Sequence, residues 1–302
     1  MSLDAFAAPG RFWKGNLHTH STKSDGRLSP SDVCTAYRLK GYDFLCLSDH
    51  FLDRYDYPMT DTRPYRTEGF TTIIGAELHG PDIEGGEKWH ILAVGLPLDF
   101  EPLQDGETGP QIARRAAEAG AFVVLPHPEW YGLTQGDADA IPEAMAVEVY
   151  NHISEVRVGR GGGAYFLDQL LVSGRRINAI AADDAHFFNP DNRMSDAFGG
   201  WVMVKAEDNT PEALLAALKA GHNYSTQGPD ILDMRVEGDD LVVETSAVAQ
   251  ITLCGHHSTS TQLWGRDLRV ARLPLAQFKG GWGRVVLVDA AGRKAWSNPM
   301  WF

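Results

Sequence analysis

The stretch that decides the fold is residues 15–20, which read GNLHTH. Alternate side chains of an extended chain point to the same face, so His18 and His20 can reach one ion together. A later stretch, NAIAADDAH, repeats this geometry at its end with Asp184 and His186. Either triplet alone is weak evidence for a metal site. The interpretation therefore depends on whether similar residues end the other strands.

Between residue 15 and about residue 206, short β-rich runs alternate with helix-like segments. This alternation predicts parallel strands joined by helical crossovers, and the continuous apolar runs are typical of strands buried on both faces. The predicted strands are GNLHTH, FLCLSDH, TTIIGAELHG, WHILAVG, FVVLPHP, AVEVYN, NAIAADDAH and WVMVKA.

Three helices between these strands carry start and stop signals. Proline is favoured in the first turn of a helix and glycine just after its end. The predicted helices run from Ser29 and Pro30 to Gly41, from Pro110 to Gly120, and from Thr210 and Pro211 to Gly221.

After residue 228 the sequence pattern changes to short segments in which apolar and polar residues alternate, separated by turn residues. These segments are LDMRVEG, LVVETS, QITLCG and RVVLVDA. Such alternation predicts antiparallel strands. We therefore expect two domains, an α/β domain over residues 1–228 and a small antiparallel β domain over residues 229–302. The second domain offers no cluster of chemistry, and we expect its paired His256 and His257 to be solvated.

Composition limits the possible partners and the compartment. The chain has 302 residues and a net charge of −13, which opposes binding to duplex nucleic acid. It has three cysteines without paired spacing, and this favours a reduced, cytoplasmic setting. No apolar run is long enough to span a bilayer, and the N-terminal residues do not resemble an export signal. We expect a soluble protein that does not act at a membrane.

Ligand-type side chains recur where the predicted strands end. Six of the eleven histidines lie at or beside such ends, where the interior of a β/α barrel would need branched aliphatic residues. The carboxyl ends of barrel strands form the functional face of that fold. The residues at C-terminal strand ends are His18, His20, Asp49, His50, Glu77, His127, Asp184 and His186.

The order of these residues resembles the motifs of the PHP family, named for polymerase and histidinol phosphatase. The matching positions are His18-Thr-His20, Asp25 with Gly26, Ser48-Asp49-His50, Glu77, His90, Pro126-His127-Pro128 and Asp184-Ala-His186. The resemblance covers about residues 15–226, and none of nine ligand-type positions is missing. Asp25 stands where some members have histidine. The resemblance implies a distorted seven-stranded β/α barrel that holds two or three divalent metal ions.

The same resemblance implies how the ions are shared. Imidazole and carboxylate ligands suit zinc, manganese and iron, and a carboxylate can bridge two ions because it has two oxygens. The implied sets are His18, His20, Glu77 and Asp184 for the first ion, Glu77, His90 and His127 for the second, and Asp25, His50 and His186 for the third.

Several further residues are candidates for roles beside the metals. His79 lies two residues after Glu77 on the same strand face, so it is either a proton donor to the leaving group or a histidine that supports a ligand. Cationic side chains after metal-binding strands can clamp a phosphate, and an amide at a strand end can touch substrate. The predicted substrate-binding residues are Lys23, Arg54, Asn151 and Arg193.

Three functions fit these residues. The first is hydrolysis of a small phosphomonoester or phosphodiester by metal-activated hydroxide. The second is hydrolysis of an aryl ester or carbamate at the same centre. This function stays possible because aromatic residues near the metal-bearing segments could form a pocket for an aryl group. They are Trp89, Trp130, Tyr131 and the Phe187-Phe188 pair. The third is a non-catalytic metal-binding module. We expect a small-molecule substrate, and the oligomeric state stays open.

Overall fold

A computed structural model gives the structure of residues 4–188 and 195–302. Arg193, one of the predicted substrate-binding residues, lies outside the described residues. The strands are β1 Arg11–Asn16, β2 Phe44–Leu47, β3 His50–Phe51, β4 Thr71–Asp82, β5 Lys88–Val94, β6 Phe122–Leu125, β7 Ala146–Asn151, β8 Asn178–Ala182, β9 Trp201–Ala206, β10 Asn223–Thr226, β11 Ile231–Glu237, β12 Asp240–Gly255, β13 Ser260–Pro274, β14 Trp282–Val288, β15 Lys294–Ser297 and β16 Met300–Trp301.

Short helices connect these strands. They are α1 Asp4–Ala7, α2 Pro30–Leu39, α3 Gly109–Glu118, α4 Pro128–Tyr131, α5 Gln135–Ala140, α6 His152–Val158, α7 Ala164–Val172 and α8 Pro211–Lys219. Three 3₁₀ turns lie at Asp53–Tyr55, Arg63–Tyr65 and Ala276–Phe278. None of the described helices is both long and apolar enough to cross a bilayer.

The three predicted helices are confirmed as α2, α3 and α8. Each begins after a hydroxyl side chain that accepts a hydrogen bond from a backbone N–H in the first turn: Ser29 for α2, Thr108 for α3 and Thr210 for α8. These caps satisfy N–H groups that have no partner within the helix, which explains why the chain turns helical there. At Thr108, the Gln111 side chain returns a hydrogen bond to the cap backbone.

The sheet runs in the order β9-β1-β2-β4-β5-β6-β7-β8 through the N-terminal part of the chain. Strands β1, β2 and β4 are parallel, and so are β6, β7 and β8. The prediction of parallel strands is wrong for β5 and β9, which are antiparallel to their neighbours. Only residues 83–87 separate β4 from β5, and so short a connection permits a hairpin but no crossover.

The segments that follow β1 and β8 meet at one edge of this sheet. The segment after β8 runs parallel to the segment after β1, with Asp184 N–H donating to His18 O and His20 N–H donating to Ala185 O, each at 2.8 Å. A mixed α/β architecture built on a large sheet is therefore confirmed, while the distorted seven-stranded β/α barrel stays a prediction. This closure brings the ends of the two strands that carry the H-x-H and D-x-H triplets together.

Apolar side chains from several strands form a buried cluster next to that edge. Leu17, Cys46 and Val124 belong to it, together with Leu214 and Leu218 of α8. Strands β2 and β6 are buried along their whole length, as the continuous apolar runs indicated. The residues after these strands are therefore anchored to rigid elements.

The C-terminal strands are antiparallel, as the alternating pattern predicted. LVVETS and QITLCG, which look like two strands in the sequence, form the single strand β12, whose pairing with β13 shifts register between Glu244 and Val248. Strand β10 pairs with β15, so the sheet continues from the first part of the chain into this unit. The domain boundary at residue 228 stays a prediction.

An ion pair also joins the C-terminal strands to the first part of the chain. The Arg284 guanidinium of β14 donates from Nε and Nη2 to the two carboxylate oxygens of Asp168 in α7, each at 2.7 Å. The Arg284 side chain is 6% exposed and that of Asp168 is 29% exposed. Loss of Asp168 therefore leaves a buried charge without a partner, whereas loss of Arg284 leaves a carboxylate that water can reach.

We expect Asp168→Ala to lower the free energy of unfolding by about 2–3 kcal/mol, because it leaves a buried guanidinium without its partner. Arg284→Met should cost less, since methionine fills the apolar volume and water can reach the remaining carboxylate. Denaturant unfolding of both variants and the parent measures the difference. A larger loss for Arg284→Met would contradict this account of the interface.

Candidate metal centre

The nine predicted ligand side chains lie at the edge where the segments after β1 and β8 meet. They come from the segment after β1 (His18, His20, Asp25), from β3 (His50), β4 (Glu77) and β5 (His90), and from the segments after β6 (His127) and β8 (Asp184, His186). Because β5 is antiparallel, its first residues reach this edge, so His90 near its start joins residues that follow the other strands.

Glu77 lies at the centre of the cluster and is fully buried. Its pairing register with β3 places it beside His50. Oε1 lies 2.7 Å from His90 Nδ1 and 3.1 Å from His127 Nε2, while Oε2 lies 2.6 Å from His50 Nδ1 and 3.6 Å from Nε2 of both His18 and His20. The two oxygens of one carboxylate therefore face two different groups of imidazoles.

The charge of Glu77 is maintained by these rings. Burial alone would raise the pKa of its carboxyl, but the imidazoles of His50, His90 and His18 hold that pKa well below its usual range. The pKa of the Asp184 carboxyl is likewise lowered against the effect of burial, through His18 and His20. Both acids are thus ionised, and each is available to a cation.

The ring of His20 is held neutral by its surroundings. Burial, together with the neighbouring rings of His186 and His50, lowers its pKa to about 3. Its Nε2 lies 2.8 Å from Asp184 Oδ1. A neutral imidazole is the form that binds a metal ion.

The pKa of His186 is raised, unlike that of His20, because a carboxylate faces its ring. Burial would lower its pKa, but the hydrogen bond to Asp25 and the charges of Asp184 and Asp25 raise it to about 9. Its Nε2 lies 3.2 Å from Asp25 Oδ1, the contact in which that proton is shared. A cation that binds between these two side chains must displace the proton.

Potential ligand atoms gather into overlapping groups, in each of which all atoms lie within 4.8 Å of one another. The groups are His20, Asp25, His50 and His186; His18, His127 and Asp184; His18, His20 and Glu77; His50, Glu77 and His79; and Glu77, His90 and His127. The implied set for the second ion is one of these groups, and that for the third lies within another. The division among three ions stays a prediction.

The donor set fits divalent metal ions. Several buried polar atoms of these residues have no hydrogen-bond partner within the described structure, namely His18 Nε2, His20 Nδ1, Glu77 Oε2 and His127 Nδ1. Unpaired buried polar atoms are costly, and a cation among them removes much of that cost. Imidazole and carboxylate ligands suit zinc, manganese or iron.

Two residues of the centre have strained backbones. His127 has φ 28° and Asp184 has φ 55°, both in the left-handed region that residues other than glycine rarely adopt. Asp184 N–H and the His127 N–H are nevertheless held by hydrogen bonds, to His18 O and to Glu148 Oε2. Strain that the surroundings enforce is typical of functional sites.

Glu148 of β7 supports the centre, and it was not among the predicted site residues. The residue is fully buried. Its Oε1 lies 2.8 Å from His18 Nδ1, and its Oε2 accepts hydrogen bonds from His127 N–H and Asn151 Nδ2, each at 2.8 Å. A carboxylate at Nδ1 keeps the proton there and leaves the His18 Nε2 lone pair for the cluster. The only signal in the sequence was an acidic residue within the apolar run AVEVYN.

Asn151 lies behind the ligands. It is fully buried, and its Nδ2 donates to Glu148 Oε2 and to Asp184 Oδ2 at 3.2 Å, while its Oδ1 accepts from Ser154 N–H at 3.0 Å. Its polar atoms are therefore engaged with the protein. The structure places it as a support for Asp184, and contact with a substrate stays a prediction.

A cavity of about 550 Å³ opens over the ligands. Arg54 lines it, whereas Lys23 is exposed outside the lining, and substrate binding by either residue stays a prediction. Lys88 and Arg157 also line it, and neither was among the predicted site residues. Arg157 lies six residues after Asn151, in the last turn of α6, so a prediction of that helix would have been needed to find it.

The cavity also has aromatic walls. Trp130 is 41% exposed and packs edge-to-face on His90 and His127, with ring centroids 5.5 and 5.2 Å apart. On another side Phe188 stacks on His186 at 5.1 Å, and the Arg157 guanidinium lies 5.2 Å from the Phe188 ring centroid. The cavity thus combines cations with flat apolar surfaces.

His79, the predicted proton donor, lies beside Glu77 and is buried. Its Nδ1 is 3.0 Å from the carbonyl oxygen of Trp89, and its Nε2 is 2.9 Å from His50 Nδ1. Burial and the nearby ring of His90 lower its pKa well below the usual value. Its catalytic role stays a prediction.

Comparisons with known proteins agree with this fold. No family model matches the sequence, and no curated protein does either. Among solved structures, a two-domain protein from Bacteroides vulgatus, containing a predicted PHP-like metal-dependent phosphoesterase, is similar over 93% of both chains, with 15% identity and a TM-score of 0.54. Because it covers 93% of the chain, this similarity reaches into the C-terminal strands, and it supports the resemblance to the PHP family at the level of the fold.

Two further structures match only part of this chain. A candidate metal-dependent phosphoesterase from Bifidobacterium adolescentis is 15% identical with a TM-score of 0.42, covering 59% of this chain and 88% of its own. An amidohydrolase from Chromobacterium violaceum, with bound sulfate and no metal, is 13% identical with a TM-score of 0.44, covering 60% of this chain and 93% of its own.

We expect Glu148→Gln to weaken metal binding by about tenfold to a hundredfold, since groups that orient metal-bound histidines typically have effects of this size. The amide can satisfy His18 Nδ1 or the donors at Oε2, but its NH₂ group then faces another donor. Competition with a chromophoric chelator measures the affinity. The exposed Glu118→Gln is the control, and parental affinity in Glu148→Gln would contradict the assigned role.

Proposed function

We propose that the chain is a metal-dependent phosphoesterase that hydrolyses a small phosphomonoester or phosphodiester. In this proposal a distorted seven-stranded β/α barrel, residues 1–228, carries the site, and the small β domain of residues 229–302 supports it. The observation that carries the proposal is the buried Glu77 carboxylate, whose two oxygens face different groups of imidazoles within 3.6 Å. A carboxylate in this position suits a bridge between two cations.

We assign two or three divalent ions, zinc, manganese or iron, to the nine ligand side chains in the sets that the family resemblance implies. When bound, such ions lower the pKa of a water molecule and offset negative charge on the phosphoryl oxygens. The role of this chain is to hold the ligands in place. His18 is oriented by Glu148, and Asp184 is held by Asn151 and His20.

The cations of the cavity fit an anionic substrate. Among the described residues, no carboxylate forms an ion pair with Arg54, Lys88 or Arg157, so their charges can serve a ligand. The chain as a whole carries −13, which repels phosphate at long range. The cations that line the cavity would offset this repulsion locally. They suit a small ester better than a duplex, in keeping with a cytoplasmic enzyme that acts on small molecules.

A second candidate function is hydrolysis of an aryl ester or carbamate. The observation that favours it is Trp130, whose 41% exposed ring lies against two of the assigned ligands. An exposed indole in a cavity offers a stacking surface for a flat leaving group. The same metal centre could activate water for attack on a carbonyl carbon.

A hydrolysis screen separates the two candidates. The full chain is loaded with manganese, zinc or iron(II) and offered phosphomonoesters, phosphodiesters, aryl carboxylates and aryl carbamates. We expect phosphoester turnover that is abolished by a chelator and restored by metal. Turnover of aryl carboxylates or carbamates without any phosphoester would establish the second candidate instead, and no turnover of either class would contradict both.

The assignment of Glu77 as the bridging ligand gives a mutational prediction. Glu77→Gln keeps the size of the side chain but removes the charge that screens repulsion between two dications, so we expect loss of metal together with a fall in turnover. Asp25→Asn should affect only the third ion and leave two bound. Elemental analysis and steady-state rates measure both effects.

The two variants act as controls for each other because both replace a carboxylate by an amide. Parental metal content and rate in Glu77→Gln would show that Glu77 does not bridge. At most one metal equivalent in the metal-replete parent would contradict a multinuclear centre.

A further inference from the structure

His79 has its proton at a defined position. Its Nδ1 lies 3.0 Å from the carbonyl oxygen of Trp89. A carbonyl oxygen can only accept, so this contact requires the proton on Nδ1. In the neutral ring that leaves a lone pair on Nε2, and this atom faces His50 Nδ1 at 2.9 Å.

The position of the Trp89 carbonyl is set by the fold. The hairpin of β4 and β5 pairs His79 with His90 and Gly80 with Trp89. The Trp89 side chain is 4% exposed, and it packs so closely on Gly109 that a Cβ there would lie 2.2 Å from the indole. The oxygen that fixes the His79 tautomer therefore belongs to a rigid part of the sheet.

His50 connects His79 to the proposed third ion. Because His79 Nε2 offers only a lone pair, the hydrogen bond between the two rings needs a proton on His50 Nδ1. Then His50 Nε2 also carries a lone pair. This atom lies 3.5 Å from Asp25 Oδ1, within the group that His20 and His186 complete.

Glu77 Oε2 is a second neighbour of His50 Nδ1, at 2.6 Å. The contact between His50 Nδ1 and His79 Nε2 is a hydrogen bond, whereas Glu77 Oε2 has no hydrogen-bond partner within the described structure. Under the proposed function, Oε2 binds a cation together with His18 and His20. His79 is then the acceptor that holds the His50 ring.

We propose that His79 is a positioning residue: it locks His50 into the tautomer and orientation that direct Nε2 toward the third metal ion. The inference rests on the proposed metal centre. In this arrangement the single proton of His79 is committed to the Trp89 carbonyl. The leaving group of the substrate receives its proton from elsewhere.

Two substitutions of His79 test this role. Leucine removes the acceptor, so His79→Leu should weaken the third ion by about tenfold to a hundredfold while two ions stay bound as in the parent. Glutamine can accept from His50 Nδ1 through its amide oxygen, so His79→Gln should retain most of that affinity. Equilibrium dialysis against manganese or zinc, followed by elemental analysis, gives the affinities. His257→Leu, in an exposed loop, is the matched control.

Other outcomes would overturn the proposal. Equal loss of metal from both variants would make the imidazole of His79 a ligand itself. Full metal in both, with a rate that falls most for poor leaving groups, would make it the proton donor. If no ester is hydrolysed by any form, the proposed function fails, and the metal affinities still decide the role of His79.

A measurement on the parent chain keeps the test valid if His79→Leu does not fold. Long-range ¹H–¹⁵N spectra of the zinc-loaded protein distinguish the two tautomers of each histidine. We expect both His79 and His50 to carry their proton on Nδ1. A proton on Nε2 of His79 would overturn the proposal.

Discussion

The constraint on which the site depends is the burial of the Glu77 carboxylate at the meeting point of several strands. A carboxylate removed from water is very unfavourable unless cations or hydrogen-bond donors surround it. Here its neighbours are imidazoles, whose ring nitrogens can supply either a proton or a lone pair. Neutral rings alone leave Oε2 without a hydrogen-bond partner. Divalent cations between the carboxylate and the lone pairs would satisfy both.

The fold supplies this arrangement through two features of the sheet. The segments after β1 and β8 hydrogen-bond to each other, and this places Asp184 beside His18 and His20. The reversal at β5 brings His90 to the same edge. The reversal also places the Trp89 carbonyl against His79. A sheet of parallel strands alone would not put the first residues of a strand at this edge.

Much of the site could be predicted from the sequence because the chemistry falls where apolar strand runs stop. The period of two in extended chain pairs His18 with His20, and continuous apolar runs mark the strands that precede His127 and Asp184. Proline in the first turn marked α2, α3 and α8, and in α2 and α8 a hydroxyl residue before the proline added a second local signal.

The features that could not be predicted depend on contacts between residues that are distant in the sequence, or on burial that the residue type does not reveal. Strand β13 is mostly exposed, and its apolar and polar residues do not alternate regularly, so it lacks the pattern that indicates a half-buried strand. Glu148 looks like a surface acid within a strand, and only the fold places it against His18. The direction of β5 depends on the length of the short connection that precedes it, and an apolar run alone does not indicate the direction of a strand.

In three histidine rings of the centre, the Nδ1 atom contacts a hydrogen-bond acceptor of the protein, and this contact orients the ring before any cation binds. His18 Nδ1 faces Glu148, His79 Nδ1 faces the Trp89 carbonyl, and His186 Nδ1 lies 2.8 Å from the carbonyl oxygen of Asp184. Each partner is an acceptor, so each ring keeps its proton on the outer side and, in its neutral form, directs the Nε2 lone pair inward. The orientation of the rings is thereby determined during folding, and a bound ion need not order them. Changes to these anchors should therefore affect metal affinity, even where the ligands themselves are intact.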